Sequence, residues 1–161
     1  MKDFLPTIIL RHRKENLKKC SLSGLEDRED FLFYTYPKDT LPLLSNYIFL
    51  HMDGPCLSSK DSEKGLILLD STWKYAERME KTLPSRITKR SIPNEFTTAY
   101  PRKQEDCTDP KRGLASIEAL YIAYLALGRS PEGLLEKYYW KEKFLEINQQ
   151  QLEGLPSKER K

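Results

Sequence analysis

An apolar run that passes directly into a helical pattern constrains the fold of this chain more than any other feature. Leu66–Leu69 follows a charged loop and is typical of a buried strand of a parallel sheet. From Thr72 to Leu83 the apolar residues recur at helical spacing, and Ser71 or Thr72 can cap the free N–H groups of that helix. Ligands of open α/β sheets collect at the carboxyl ends of strands, so Asp70 marks a candidate site. The alternative is a capped helix beside a core tryptophan.

The rest of the chain supplies further strands and two more helical regions. Apolar, β-branched or aromatic runs predict strands at Thr7–Leu10, Phe31–Tyr36, Tyr47–His51, Arg86–Ser91 and Phe96–Tyr100. Residues 114–127 are apolar almost all round, which predicts a buried helix with Ser116 as N-cap and Gly128 as stop. Pro131 to Leu152 predicts one long amphipathic helix, or two. Together these elements indicate a mixed, mostly parallel sheet with helices on both faces.

Length, charge and cysteine usage exclude several classes of protein. The 161 residues suit one ordinary domain, and the net charge of +3 permits RNA binding without arguing for it. Cys20, Cys56 and Cys107 have no C-x-x-C spacing, which indicates reduced thiols in a cytosolic protein. No apolar run reaches the length of a membrane span, and the start lacks the apolar core of a signal peptide. The motifs of nucleotide-binding loops and of serine hydrolases are absent.

Several segments resemble a known group of RNA-modifying enzymes. Leu68–Met79 contains Asp-Ser-Thr-Trp and resembles the D-x-T-W signature of DTW-domain proteins. Thr98–Gln104 and Gly113–Leu120 resemble other segments of the same proteins. These families transfer a 3-amino-3-carboxypropyl group from S-adenosylmethionine to a uridine or pseudouridine of tRNA or of small-subunit rRNA. Lys18–Gly24 and Tyr139–Asn148 are similar to the ribosomal branch, whereas the strand-end signature is closer to the DTW form. The resemblance therefore leaves rRNA and tRNA both open.

The resemblance also implies a fold and an organisation. It implies a SPOUT-like α/β fold, in which a mostly parallel sheet with flanking helices ends in a C-terminal trefoil knot whose loops hold the cofactor. We therefore expect a single domain over 1–161, with an N-terminal part at 1–64, a knotted cofactor-binding part at 65–152 and a tail at 153–161. The superfamily is largely monomeric, and we expect a cytoplasmic protein that acts on RNA and not at a membrane.

The chemistry of the transfer suggests roles for residues in the matching loops. Uracil N3 must lose a proton around the time of attack, so Asp70 is the first candidate for a base or for electrostatic support of the sulfonium, and Glu118 is the second. The alternative for Glu118 is to complement the helix dipole. The expected cofactor-binding residues are Leu69, Ser71, Thr72, Trp73, Ala99, Tyr100, Leu114, Ala115 and Ser116. The expected RNA-binding residues are Arg102, Lys103, Lys111 and Arg112. We expect no metal.

Three other functions compete with this interpretation. A SPOUT RNA methyltransferase would use the same fold and cofactor but transfer the methyl carbon. A non-catalytic RNA-binding protein of ribosome assembly would keep the fold without the reaction. A metal-binding module built on Cys20 and His12 is the third alternative.

Overall fold

A computed structural model describes residues 4–15, 20–51, 54–71, 73–93, 95–100 and 114–155, with Trp73 described by its backbone alone. The chain divides into two units. Unit 1 comprises Met1–Pro55 and Glu63–Ser91, and unit 2 comprises Cys56–Ser62 and Ile92–Lys161. Among the described residues, no helix has both the length and the apolar character needed to cross a membrane.

Unit 1 is built on a five-stranded sheet with the order β2-β1-β4-β3-β5, and each neighbouring pair of strands is parallel. The strands are β1 (Thr7–His12), β2 (Phe31–Tyr36), β3 (Tyr47–Leu50), β4 (Gly65–Asp70) and β5 (Thr88–Arg90). The predictions of strands at these five places are confirmed, and the α/β class with a parallel sheet is confirmed with them. The central strand β4 is apolar from Leu66 to Leu69 and ends at Asp70, as is typical of a strand that is buried on both faces of a parallel sheet.

A helix, α1 (Trp73–Glu80), follows β4 and packs against it. The helical pattern predicted residues 72–83, and the observed helix is shorter at its C-terminal end. There the backbone switches to i→i+3 hydrogen bonds, from Thr82 N to the Met79 carbonyl and from Leu83 N to the Glu80 carbonyl, both 3.0 Å long. This tighter turn precedes Pro84, which cannot continue a helix. Leu83 still reaches the core, where it packs with Ile8, Leu44, Phe49 and Ile67.

Among its described residues, unit 2 contains three α-helices, α2 (Ser116–Leu127), α3 (Lys141–Ile147) and α4 (Gln149–Glu153), and a short 3₁₀ helix at Ser59–Asp61. Nearly all of α2 is buried, as predicted, and Gly128 ends it in the left-handed conformation with φ of 78°. The prediction of Ser116 as N-cap is wrong. Ala115 precedes the helix with extended backbone, and its N–H donates to the Glu118 carboxylate at 2.8 Å. The Glu118 side chain in the first turn therefore satisfies the N–H of the residue that precedes the helix, as the acidic residue of a capping box does.

Two segments of unit 2 differ from the predicted secondary structure. Residues 96–100 are not a strand, because the polar backbone groups of Thr97 and Ala99 pair with side chains. The second helical region begins at Lys141 and not at Pro131, and it forms two short helices. Residues 131–140 instead form successive i→i+3 turns, with Gly133 at φ of 82°. A residue in the left-handed conformation interrupts an α-helix. The apolar residues of this segment therefore pack from successive turns and not from one face of a helix.

Candidate functional site

Asp70 lies at the carboxyl end of β4, directly opposite Arg11 of the neighbouring strand β1. Arg11 Nε donates to Asp70 Oδ2 at 2.8 Å, and the two side chains are 12% and 6% exposed. A carboxylate this well buried needs such a partner. The Asp70 side chain is thus held in one orientation by a residue 59 positions away in the sequence.

The thiol of Cys20 is a second partner of Asp70. Its Sγ lies 3.1 Å from Oδ2 and 3.4 Å from Oδ1 of that carboxylate. Burial raises the pKa of the Cys20 thiol to about 12, and the charge and hydrogen bond of Asp70 act in the same direction. The thiol is therefore protonated at neutral pH and donates to Asp70. Among the described residues, Oδ1 receives only this long thiol bond, so it keeps acceptor capacity for a cationic group.

Arg11 also links the surroundings of Asp70 to the segment that begins at Cys20. Its Nη1 donates to Glu26 Oε2 at 3.0 Å, and its guanidinium carbon lies 4.6 Å from the centre of the Phe33 ring. Gly24 N donates to the other oxygen of Glu26 at 2.7 Å. Partial burial opposes ionisation of Glu26, but the hydrogen bonds from its own N–H, from Gly24 and from Arg11 outweigh it and lower the pKa of that carboxyl. Asp70, Arg11 and Glu26 therefore form a network of charges that hydrogen bonds hold in place.

The neighbours of Asp70 in sequence have different surroundings. Leu69 points to the opposite face of the sheet, because side chains alternate along a strand, and it packs against the core around Ile67. This contact favours core packing for Leu69. Ser71 is half-buried immediately after the strand. Thr72 and the side chain of Trp73 lie outside the described residues.

Glu118 is fully buried in unit 2 and accepts four hydrogen bonds. Its Oε1 accepts from Thr98 Oγ1 at 2.6 Å and from Ala115 N at 2.8 Å. Its Oε2 accepts from Ala99 N and from Tyr138 Oη, both at 2.9 Å. A carboxylate offers about four acceptor positions, and all of them are used. Glu118 therefore joins the loop at 98–99 to the start of α2.

The loop that ends at Tyr100 is held by two further contacts. Asn148 lies between α3 and α4, and its side chain pairs with both the N–H and the carbonyl of Thr97. The Tyr100 ring lies parallel to the Tyr138 ring, with centres 6.4 Å apart and planes 1° apart. Tyr138 thus contacts Tyr100 through its ring and Glu118 through its hydroxyl.

Unit 2 thus brings Ala99, Ala115 and Glu118 together out of the predicted site residues. Leu114 and Ser116 are half-buried beside Ala115. Asp70 and Ser71 belong to unit 1. The predicted RNA-binding residues lie outside the described part of the chain: Arg102, Lys103, Lys111 and Arg112.

The sequence interpretation missed the partners of both carboxylates. Arg11 and Tyr138 are not among the predicted site residues, and Cys20 is predicted as a reduced thiol or as a metal ligand with His12, not as a partner of Asp70. The signal that could identify Arg11 is a charged residue near the end of a strand that is otherwise buried. No local signal identifies Tyr138 as a partner of Glu118, because 20 residues separate them.

Within the described residues, the potential metal ligands that lie close together are Glu15, Cys20 and Asp70, whose ligand atoms are within 4.8 Å of one another. His12 is not part of this group. Its ring stacks on Tyr75, and its Nδ1 accepts from Lys14 N at 3.1 Å. The pairing of Cys20 with His12 that the metal-binding alternative requires is therefore not observed among these residues.

Comparisons with known proteins point to one kind of enzyme. No family model matches the chain. The 16S rRNA aminocarboxypropyltransferase of Methanopyrus kandleri is 29% identical over 94 residues, which are 57% of this chain and 53% of that protein. The match therefore spans about half the length of this relative. The SAM-dependent rRNA:acp-transferase Tsr3 of Vulcanisaeta distributa matches in structure with a TM-score of 0.70 and 23% identity, covering 93% of this chain and 82% of that one.

The chain has the Tsr3 fold. Both similar proteins carry names from the rRNA branch of the enzymes that the sequence motifs resemble. The Tsr3 match covers both units, so the likeness in fold is not confined to the parallel sheet.

Proposed function

We propose that this protein is an S-adenosylmethionine-dependent rRNA aminocarboxypropyltransferase. The observation that carries this proposal is the Tsr3 fold over 93% of the chain, in a sequence with Asp-Ser-Thr-Trp at the end of β4. The rRNA named for both similar proteins supports rRNA over tRNA as the substrate. When bound, S-adenosylmethionine supplies a 3-amino-3-carboxypropyl group that its sulfonium already activates.

Asp70 fits a cationic cofactor. Its carboxylate is oriented by Arg11 and Cys20, yet Oδ1 keeps acceptor capacity. Such a fixed negative charge stabilises positive charge without reorganising during the reaction. The same oxygen is the better placed of the two candidate carboxylates to accept the proton of uracil N3.

Glu118 acts as a positioning residue in this proposal. Its four acceptor positions are already used by protein donors, so it has no free oxygen lone pair for a substrate proton. It instead fixes the backbone of Ala99 and Ala115. On the basis of the family resemblance, we assign the remaining cofactor contacts to Ser71, Thr72, Trp73, Tyr100, Leu114 and Ser116, and we leave Leu69 in the core against which it packs.

Further parts of the proposal rest on the resemblance to DTW-domain and SPOUT-like proteins. They are a C-terminal trefoil knot within 65–152, a single domain over 1–161, and a monomer that works in the cytoplasm. RNA phosphates would be held by Arg102, Lys103, Lys111 and Arg112. Light scattering of the purified protein tests the monomer, and a dimer would contradict it.

The test uses two labelled cofactors. S-adenosylmethionine labelled in the carboxyl group, or in the methyl group, is incubated with the protein and RNA from cells that lack it, and rRNA and tRNA are then separated. We expect carboxyl label alone, in rRNA. Methyl label alone would identify a methyltransferase. Cofactor binding in calorimetry without label in free RNA or in pre-ribosomal particles would favour the non-catalytic alternative.

A further inference from the structure

An aromatic group lies at the carboxyl ends of β1 and β2. The His12 ring stacks on Tyr75 of α1, with centres 3.9 Å apart and planes 14° apart. The ring of Tyr36 is 5.6 Å from that of His12. His12 is buried, whereas both tyrosines remain half-exposed. Two aromatic residues of this group are therefore partly accessible to a ligand.

Exposed cations surround this aromatic group. Arg13, Lys14 and Arg78 are all exposed, and the positive charge of each lowers the pKa of His12. In the described part of the chain, none of the three forms an ion pair. Glu15 and Glu77 are the neighbouring acidic residues in sequence, and neither is bonded to these cations there. Within the described residues, the surface thus combines cations outside ion pairs with partly exposed tyrosines.

His12 contributes a neutral ring to this surface. Its Nδ1 accepts the Lys14 N–H, so that nitrogen carries no proton. Burial, together with the charges of Arg13, Lys14 and Arg78, lowers the pKa of His12. The positive charge of the surface therefore comes from its arginine and lysine side chains.

We propose that this surface, the aromatic–cationic patch, binds single-stranded RNA. The patch consists of His12, Arg13, Lys14, Tyr36, Tyr75 and Arg78. Exposed cations suit phosphate groups, and partly exposed tyrosines suit unpaired bases. A base-paired helix keeps its bases stacked, so it would use the cations without the rings.

The patch lies at the same end of the sheet as the proposed site at Asp70, but on the other face. Consecutive residues of β1 face opposite sides of the sheet, so Arg11 meets Asp70 while His12 meets Tyr75. RNA on the patch would thus lie at the carboxyl ends of the same sheet, across the sheet from the Asp70 side chain. A role of the patch in the transfer reaction rests on the proposed function, but RNA binding by the patch does not.

The test measures RNA affinity of the full chain without cofactor. A fluorescent, uridine-rich single strand of about 20 nucleotides is titrated in anisotropy experiments between about 50 and 200 mM KCl. The patch variant is Arg13→Gln/Lys14→Gln/Arg78→Gln. The charge-matched control, Lys60→Gln/Arg86→Gln/Lys137→Gln, removes three exposed cations outside the patch.

We expect the patch variant to bind at least about tenfold more weakly and to lower the salt slope by about two, because each lost phosphate contact on a single strand removes about 0.7. The control should stay near wild type. Equal losses in both variants would show diffuse attraction and overturn the proposal. So would stronger binding of the wild type to a duplex, or patch-dependent binding to phosphatidylserine vesicles but not to RNA.

Substitution of the rings separates stacking from charge. Tyr75→Phe should retain RNA affinity, whereas Tyr75→Leu should weaken it by about tenfold, with the fold checked by circular dichroism. Equal affinity of the two variants would overturn the stacking component. If the labelled-cofactor test fails while the patch variant still loses RNA binding, the proposed reaction is wrong and the patch stands.

Discussion

Asn148 and Thr97 pair through both polar groups of the Asn148 amide. Asn148 Nδ2 donates to the Thr97 carbonyl and Oδ1 accepts from Thr97 N, each at 2.8 Å. Asn148 is fully buried, and its Nδ2 also donates to the Phe144 carbonyl. One side chain thus replaces a strand partner for the loop that leads to Ala99 and Tyr100.

We expect Asn148→Asp to destabilise the protein by about 1–3 kcal/mol, because the two carbonyls that accept from Nδ2 lose their buried donor. Urea unfolding measures the change. The matched control is Gln150→Glu, at an exposed position two residues away. Equal stability of the two variants would contradict a structural role for the amide.

Glu118→Gln should weaken cofactor binding more than it lowers the rate of transfer by the cofactor-bound enzyme. The amide nitrogen cannot accept from the donors that the lost oxygen served, so Ala99 or Ala115 is released. We expect KM for S-adenosylmethionine to rise about tenfold or more with a smaller change in kcat. A loss confined to kcat would instead favour a direct role in proton transfer.

Tyr138→Phe separates the hydroxyl from the ring. It removes one of the four donors to Glu118 and keeps the ring beside Tyr100. We expect a loss of about 1 kcal/mol in the free energy of unfolding and a KM change smaller than that of Glu118→Gln. A larger effect than that of Glu118→Gln would assign the hydroxyl a role of its own.

Asp70→Asn should lower aminocarboxypropyl transfer by at least about a hundredfold. It should also cost about 3 kcal/mol of stability, because Arg11 loses a buried partner, although Glu26 still pairs with it. Circular dichroism checks that the assay temperature lies below the unfolding transition. Asp27→Asn, at an exposed position, is the control. Transfer by folded Asp70→Asn at the control rate would exclude a catalytic role for Asp70.

Cys20 should resist alkylation in the folded protein. A thiol with a pKa of about 12 has much less thiolate at pH 8 than an ordinary exposed cysteine. We expect iodoacetamide to modify the exposed Cys56 at least about a hundredfold faster, as measured by peptide mass spectrometry. Comparable rates would contradict the buried, hydrogen-bonded thiol.

The same pKa shift has a consequence for stability. The folded state favours the protonated thiol, so its contribution is complete below the unfolded pKa of about 8.5 and is lost as the pH rises toward 12. Cys20→Ser should flatten the fall in stability over that alkaline range, as urea unfolding at several pH values would show.

Elements with local patterns could be predicted from the sequence, whereas their polar partners could not. Buried strands such as β4 and the apolar helix α2 show their environment in their own residues. The contacts that shape the candidate sites join distant positions: Arg11 and Asp70 are 59 residues apart, and Thr97 and Asn148 are 51 apart. The segment at 96–100 has the β-branched and aromatic residues of a strand, but its backbone groups pair with side chains that the local pattern cannot reveal.

The strand order has a consequence for how the chain folds. β4 pairs with both β1 and β3, which precede it in the sequence but do not pair with each other. During synthesis, β1 and β2 can pair early, whereas β3 has no described sheet partner until β4 emerges. The arrival of β4, which carries Asp70 at its end, therefore joins two separate parts of the sheet in one long-range step, and that step is expected to be slow compared with local pairing.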